Sequence, residues 1–238
     1  MTRYNNHSAR VAPASAPLPA DIHGAIDAIM RGKEPLVLFT TLARDRRLFF
    51  KLFNSGLLDR GHLTIRQREI VIDRTTAQCG AEYEWGVHVA AYATKAGLDA
   101  PQIASLVKSD ANDEHWPDED RVLIRLCDSL QDSCSVDDDL WESLLRYHSV
   151  ESIIELLMLA GYYRMVSYLV NGLRLPLEPN TPRFADMPRA TVPAGNSAGR
   201  QENRKGEDDA IRQREGHRRS VLGDAEAGDH PEGDRRHG

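Results

Sequence analysis

Residues 150–170 form the longest apolar segment of the chain, and this segment most restricts what the chain can fold into. Its apolar side chains fall on nearly every face of a helix, and Glu151, Glu155 and Arg164 interrupt it. Charged groups at these places are costly in lipid, so we predict a buried helix and not a membrane span. A helix that is apolar all round must be covered on every side, which favours a helical protein with a second subunit against this helix.

Apolar residues recur at helical spacing through most of the remaining chain, and no alternation typical of a strand has a useful length. Thr64, followed three residues later by Gln67, resembles a capping box and predicts a helix that runs to a break at Cys79. A second helix is expected over 81–96, with Gly97 as its stop. The predicted fold class is all-α, a compact helical bundle in which these two helices form a hairpin. Further helices are predicted near 22–29, 36–43, 48–58, 101–107, 122–130, 140–147 and 150–170.

Composition divides the chain into three parts. Residues 1–20 are rich in Ala, Pro and Ser and offer little to bury, so we interpret them as a flexible leader. Residues 189–238 hold ten Lys or Arg and ten Asp or Glu with no aromatic residue, and they cannot offset the entropy lost on ordering. We predict that they form a disordered charged tail. Residues 21–188 remain as one helical domain.

The formal net charge of −6 lies entirely on residues 1–188, because the tail carries equal numbers of positive and negative groups. An acidic domain is a poor match for nucleic acid, so we expect a small-molecule substrate and neither a nucleic-acid nor a membrane partner. The three cysteines, together with an N-terminus that lacks an apolar signal core, suggest the reducing cytoplasm.

Glu69, Glu84 and His88 are the residues that indicate chemistry. Glu84 and His88 are four apart on one face of the second hairpin helix, and Glu69 can lie alongside if the two helices pair antiparallel. A histidine is the natural proton carrier near pH 7, and a neighbouring carboxylate fixes its tautomer and raises its basicity. We therefore predict an acid–base site, although the spacing also fits an ordinary exposed ion pair. It differs from the Glu-x-x-His spacing of di-iron bundles, so no metal is expected.

Two stretches of the chain resemble the carboxymuconolactone decarboxylase and alkylhydroperoxidase-D-like family. They read LTIRQREIVIDRTTAQCGAEYEWGVHVAAYATKAGL and IELLMLAGYYRMVSYLVNGLRLPLEP, and the likeness extends over about residues 36–179. In the alkylhydroperoxidase D branch, a Glu is followed by Cys-x-x-Cys-x-x-x-His, whose thiols reduce peroxides. Glu69 and His88 match the Glu and the His, whereas Ala81 and Glu84 stand where the two cysteines would be.

The resemblance to the decarboxylase branch implies a cofactor-free enzyme on the same helical fold, assembled as a homo-oligomer. His88 would donate a proton after loss of CO2 from a small lactone or cyclic carboxylate, with Glu69 or Glu84 orienting the ring. Tyr83 and Trp85 could line a pocket beside His88 or simply pack between helices. The cations near the matched stretches that could bind a substrate carboxylate are Arg66, Arg68, Arg74 and Arg164.

Two other functions stay open on the sequence. One is a thiol peroxidase in which Cys79 is the redox or sensor thiol. Because the CxxC pair is missing, Cys79 would need Cys127 or Cys134 as its partner. The other is a non-catalytic oligomeric binding protein that kept the same scaffold.

Overall fold

The structure is a computed structural model that describes residues 8–55, 57–108 and 114–187. The chain divides into two units, Met1–Ala190 and Thr191–Gly238, and every described residue belongs to the first. The predicted tail, 189–238, lies outside the described residues. The predicted leader, 1–20, is described from residue 8, and its Arg10 and Ala14 donate backbone hydrogen bonds to the carbonyls of Leu173 and Thr40. The division at residues 20 and 188 stays a prediction.

The regular secondary structure of the described residues is entirely helical, which confirms the all-α prediction. The α-helices are α1 (Ala20–Met30), α2 (Val37–Leu42), α3 (Arg46–Phe53), α4 (Ile65–Gln78), α5 (Glu82–Ala96), α6 (Ala100–Lys108), α7 (Asp118–Ser133), α8 (Asp138–Leu145) and α9 (Val150–Leu173). One turn of 3-10 helix follows at Phe184–Asp186.

The hairpin of α4 and α5 begins and ends at the residues that its sequence signals indicate. The Thr64 hydroxyl accepts a hydrogen bond from the Gln67 backbone N–H, and the Gln67 side-chain oxygen accepts one from the Thr64 backbone N–H. The predicted capping box is therefore confirmed. Cys79 caps the end of α4, and Gly80 follows with a φ of +62°. Gly97 ends α5 in the left-handed region, where the absence of a Cβ removes the steric penalty.

Helix α4 lies at the centre of the bundle and packs against α5, α6, α7 and α9. Its apolar residues Ile70, Val71 and Ile72 are fully buried, as are Trp85 on α5 and Leu156 on α9. Each fully buried side chain of this kind stabilises the fold by about 1.5–3 kcal/mol. Because α4 is covered on several sides, polar groups on it are also removed from water, and among these are Glu69 and Asp73.

Within the single chain, helix α9 is buried on one side only, and the expectation that a second subunit covers the rest stays a prediction. Its outer face is an apolar stripe of large side chains that are 40–62% exposed: Val150, Ile154, Met158, Met165 and Tyr168. Among the described residues it is also the one helix whose length and composition would suit a membrane span, with 44% of its apolar window buried. Core helices of soluble proteins have the same length and composition. Its other face packs against α4 and α5.

Gly86 allows the first turn of α5 to lie directly against the chain that follows α9. A Cβ placed on Gly86 would come within 2.8 Å of the Pro182 carbonyl oxygen, so any larger residue would displace backbone. Two further contacts hold this approach: the Phe184 N–H donates to Glu82 Oε1 at 2.7 Å, and the rings of Trp85 and Phe184 are 4.9 Å apart. The start of α5, where Glu84 lies, is thereby fixed in place.

Candidate functional site

His88 is buried between two carboxylates, one from each helix of the hairpin. Its Nδ1 lies 2.9 Å from Oε2 of Glu69 on α4, and its Nε2 lies 3.5 Å from Oε1 of Glu84 on α5. The three residues are 4%, 1% and 7% exposed, respectively. The antiparallel hairpin thus brings together the three residues selected from the sequence, and burial distinguishes them from a surface ion pair.

Two tyrosines complete the immediate surroundings of the imidazole. Tyr163 on α9 presents its ring edge-on to His88 with centroids 4.9 Å apart, and Tyr92, one turn further along α5, lies at 5.4 Å. Burial, together with the charges of Glu84 and Glu69, raises the pKa of Tyr163 well above its ordinary value. Tyr163 therefore keeps its hydroxyl proton at every pH at which the protein would work.

The two carboxylates hold His88 in its charged form. Burial alone would lower the pKa of His88 below 6.5, but the hydrogen bond to Glu69, the contact with Glu84 and their negative charges outweigh burial and raise it to about 10. At neutral pH the ring is an imidazolium with a proton on each nitrogen. The arrangement is thus ready to donate a proton, and after donation the carboxylates favour its return.

Asp73 is a residue of this site that the sequence analysis missed. It lies on α4 one turn beyond Glu69, is 0% exposed, and neither of its carboxyl oxygens has a hydrogen-bond partner in the described part of the chain. Oε1 of Glu69 and Oε2 of Glu84 are also buried without a partner. The sequence signal that could have found Asp73 is its position: it is an acidic residue four positions after Glu69, directly following the apolar run Ile70 to Ile72.

The part of the chain that contains this site matches a known protein family. Residues 47–125 match the sequence model of the carboxymuconolactone decarboxylase family. The resemblance inferred from the sequence is confirmed. The matched range contains Glu69, Glu84 and His88, and with them the whole α4–α5 hairpin. None of the curated proteins compared with the chain matches it.

Solved structures confirm the alkylhydroperoxidase-D-like fold. An uncharacterized peroxidase-related protein from Silicibacter sp. TM1040 is 18% identical with a TM-score of 0.62, covering 75% of this chain and 96% of its own. An alkylhydroperoxidase AhpD core protein from Ralstonia eutropha JMP134 is 16% identical with a TM-score of 0.57, covering 73% and 94%. The debrominase Bmp8 is 12% identical with a TM-score of 0.59, covering 71% and 92%. At these identities the likeness concerns the fold alone.

All three cysteines are free thiols. Cys79 is the C-cap residue of α4, ten residues after Glu69 and about 15 Å from it along the helix axis. Cys127 is buried, and its Sγ lies 3.8 Å from Oγ1 of Thr75. Burial raises the pKa of the Cys127 thiol to about 12, which keeps the thiol protonated and unreactive. At the CxxC positions of the family pattern stand Ala81, which is fully buried, and Glu84.

Tyr83 and Trp85 contact other parts of the protein. The Tyr83 hydroxyl accepts a hydrogen bond from the Leu38 N–H at 3.0 Å and donates one to Glu178. Trp85 is fully buried against Phe184. The aromatic rings against His88 are instead those of Tyr92 and Tyr163, which the sequence analysis did not assign to the site.

The four candidate arginines are bonded to other groups. Their partners are Asp120 for Arg66, the carbonyls of Leu58 and Asp59 for Arg68, Asp128 for Arg74, and Gln131 with Tyr168 for Arg164. The positive charge between the two carboxylates is that of His88 itself. Across the described ranges, no group of three or more His, Cys, Asp or Glu side chains could hold a metal ion.

Proposed function

We propose that the protein is a cofactor-free acid–base enzyme of the carboxymuconolactone-decarboxylase-like type, with His88 as its proton donor. The observation that supports this proposal is a buried imidazole with a carboxylate at each ring nitrogen, at 2.9 Å and 3.5 Å. Carboxylates in these positions keep the proton on the ring at neutral pH. We infer that the substrate is a small lactone or cyclic carboxylate.

Nε2 is the ring nitrogen that would serve the substrate. Glu69 holds Nδ1 at hydrogen-bond distance, and this contact fixes the orientation of the ring. The contact between Nε2 and Glu84 is longer, at 3.5 Å, and is the weaker of the two. A substrate atom can replace the weaker contact while Glu69 continues to hold the ring.

The reaction proposed is a decarboxylation completed by protonation of carbon. The bond between the substrate carbon and its carboxylate breaks, CO2 leaves, and the electron pair stays on carbon and spreads into a conjugated carbonyl. That carbon then takes the Nε2 proton of His88, and the neutral imidazole regains a proton from water. Glu69 and Glu84 stabilise the imidazolium before and after the transfer, so the site returns to its starting charge.

Turnover of a panel of lactone carboxylates and cyclic carboxylates tests this proposal, with CO2 release as the readout. We expect His88→Gln to lower kcat/KM by about 10²–10⁴-fold, which is the usual contribution of a positioned acid. His148→Gln is the matched control, because His148 is also buried, at 8% exposure, and contacts neither carboxylate of the site. Equal turnover in wild type and His88→Gln contradicts the proposal.

Two further outcomes would assign another function. Peroxide consumption that disappears in Cys79→Ala would indicate a thiol peroxidase. Ligand binding without turnover, unchanged in His88→Gln, would indicate a binding protein on this scaffold.

The panel also includes halogenated pyrroles, because a cysteine-to-alanine variant of the debrominase Bmp8 was solved in complex with 2,3,4-tribromopyrrole. If the protein turns over halogenated pyrroles and His88→Gln abolishes that turnover, the proposed substrate class extends to them.

We also propose that the chain forms a homo-oligomer through the outer face of α9. Exposed apolar side chains follow one side of this helix, including Ile154 at 51% and Met158 at 58% exposure, and contiguous apolar surface of this kind marks an interface. Met158→Glu is expected to dissociate the oligomer in analytical ultracentrifugation. Ile29→Glu on α1, where the wild-type side chain is 53% exposed, is the matched control and should leave the assembly intact. A wild type that sediments as a monomer would overturn this proposal.

A further inference from the structure

Asp73 is a fully buried carboxyl group that the mechanism above does not use. Its exposed fraction is 0%, and neither Oδ1 nor Oδ2 has a hydrogen-bond partner among the described residues. Burial of an ionised carboxylate without donors is strongly unfavourable, so such a group is held in its neutral form. A neutral acid carries one O–H donor, which needs an acceptor.

Glu69 offers that acceptor. It lies one helical turn before Asp73 on α4, about 6 Å along the axis, so the two side chains share a face. Oε2 of Glu69 is bonded to His88, whereas Oε1 is buried with no partner. Burial and the negative charge of Glu69 raise the pKa of Asp73 well above its ordinary value, and the positive charge of His88 opposes them in part. The three groups are therefore within electrostatic reach of one another.

We propose that Asp73 is a positioning residue of this site, which stays protonated and donates its O–H to Oε1 of Glu69. The site then consists of four groups in a row: Asp73, Glu69, His88 and Glu84. Fixed at Oε1 by Asp73, Glu69 keeps its other oxygen on Nδ1 of His88. Asp73 acts through Glu69 and does not itself touch the substrate.

The protonation state of Asp73 sets the charge of the whole row. With Asp73 neutral, the row carries one net negative charge, from two carboxylates and one imidazolium. With Asp73 ionised, it would carry two, and an anionic substrate would be repelled more strongly. This consequence rests on the proposed function, whereas the hydrogen bond from Asp73 to Glu69 does not.

NMR of the resting protein tests the inference without any substrate. In protein labelled with ¹³C at the aspartate carboxyl groups, the Asp73 signal is the one that Asp73→Asn removes. At pH 7 we expect it at the position of a protonated acid, and a signal at the position of a carboxylate would overturn the inference. The chemical shift is read in wild-type protein, and Asp73→Asn serves only to assign the signal.

The titration of His88 provides the second test. Asp73→Asn replaces one neutral donor with another, so the pKa of His88 should stay at its wild-type value. If Asp73 were ionised, removal of its charge would lower the pKa of His88 by about 1–3 units. The other charged or titratable groups against His88 are Glu69, Glu84, Tyr92 and Tyr163, and Asp73→Asn leaves all four in place.

Asp73→Val separates positioning from simple packing. Without a donor at position 73, Glu69 is no longer held at Oε1 and its hydrogen bond to His88 loosens, so the Nδ1 proton signal should move upfield, and Asp73→Asn should restore it. Equal signals in the Asn and Val proteins would overturn the positioning role. Asp120→Asn is the control, because Asp120 is buried at 3% exposure but is bonded to Arg66, and it should leave the His88 signals unchanged. If these NMR results hold and no turnover is found, only the proposed function fails.

Discussion

Above pH 6.5 the contribution of His88 to the free energy of unfolding is expected to fall by about 1.4 kcal/mol for each pH unit, until the pH reaches about 10. The cause is His88, whose pKa is 6.5 in an unfolded chain and about 10 in the folded protein. The folded protein binds more protons than the unfolded chain in this window. The stabilisation is therefore complete below pH 6.5 and is lost as the pH rises through 10.

Urea unfolding measured at several pH values between 6 and 10 gives this slope. Glu69→Gln removes the closer carboxylate and lowers the folded-state pKa of His88, so the upper limit of the window should fall in that variant while the lower limit stays at pH 6.5. His148→Gln is the control, because burial lowers the pKa of His148 and its contribution to stability changes only below pH 6.5. A wild-type stability that does not change from pH 6.5 to 10 would mean that His88 is not held as an imidazolium.

Asp73→Asn is expected to make the protein more stable at neutral pH. In the unfolded chain Asp73 ionises near pH 3.8, whereas in the folded protein it keeps its proton to a much higher pH. Each pH unit above 3.8 therefore lowers wild-type stability by about 1.4 kcal/mol, until the pKa of the folded state is reached. Asparagine does not titrate, so the variant lacks this loss.

The comparison of the two proteins at different pH values isolates this effect. Near pH 3, which lies below the unfolded-state pKa of 3.8, Asp73 is mostly protonated in both states, and the difference in unfolding free energy there gives the effect of the amide itself. The gain should then grow as the pH rises to 7. Asp120→Asn should instead be destabilising at neutral pH, because it breaks a buried ion pair with Arg66. If the gain in unfolding free energy of Asp73→Asn over wild type is no larger at pH 7 than at pH 3, Asp73 is not a buried neutral acid.

The parts of this fold that were predictable from the sequence are those set by local chemistry. The capping box at Thr64 and the left-handed Gly97 act through neighbouring residues, and both mark helix ends in the structure. The exposed face of α9 was not predictable in this way. Its side chains are apolar all round, and only the packing against α4 and α5 decides which of them are covered.

The residues of the candidate site that were predictable are also those set by local chemistry. Glu69, Glu84 and His88 follow from helical spacing and an antiparallel hairpin, two features that a sequence carries directly. Asp73 was missed because an acidic residue within a helix usually faces water, and its burial depends on how α4 is enclosed by its neighbours. Tyr83 was assigned to a possible pocket, yet its hydroxyl is bonded to Leu38 and Glu178, which lie 45 and 95 residues away in the sequence.

The pH titration of the His88 ring by NMR, in wild type, Glu69→Gln and Glu84→Gln, tests the acid–base site most directly. We expect the wild-type ring to remain an imidazolium through neutral pH and to lose its proton near pH 10. Both variants should lower this pKa, and Glu69→Gln should lower it more, because Glu69 lies at 2.9 Å and Glu84 at 3.5 Å. A ring that titrates near 6.5 in all three proteins would contradict the acid–base site and leave only the scaffold.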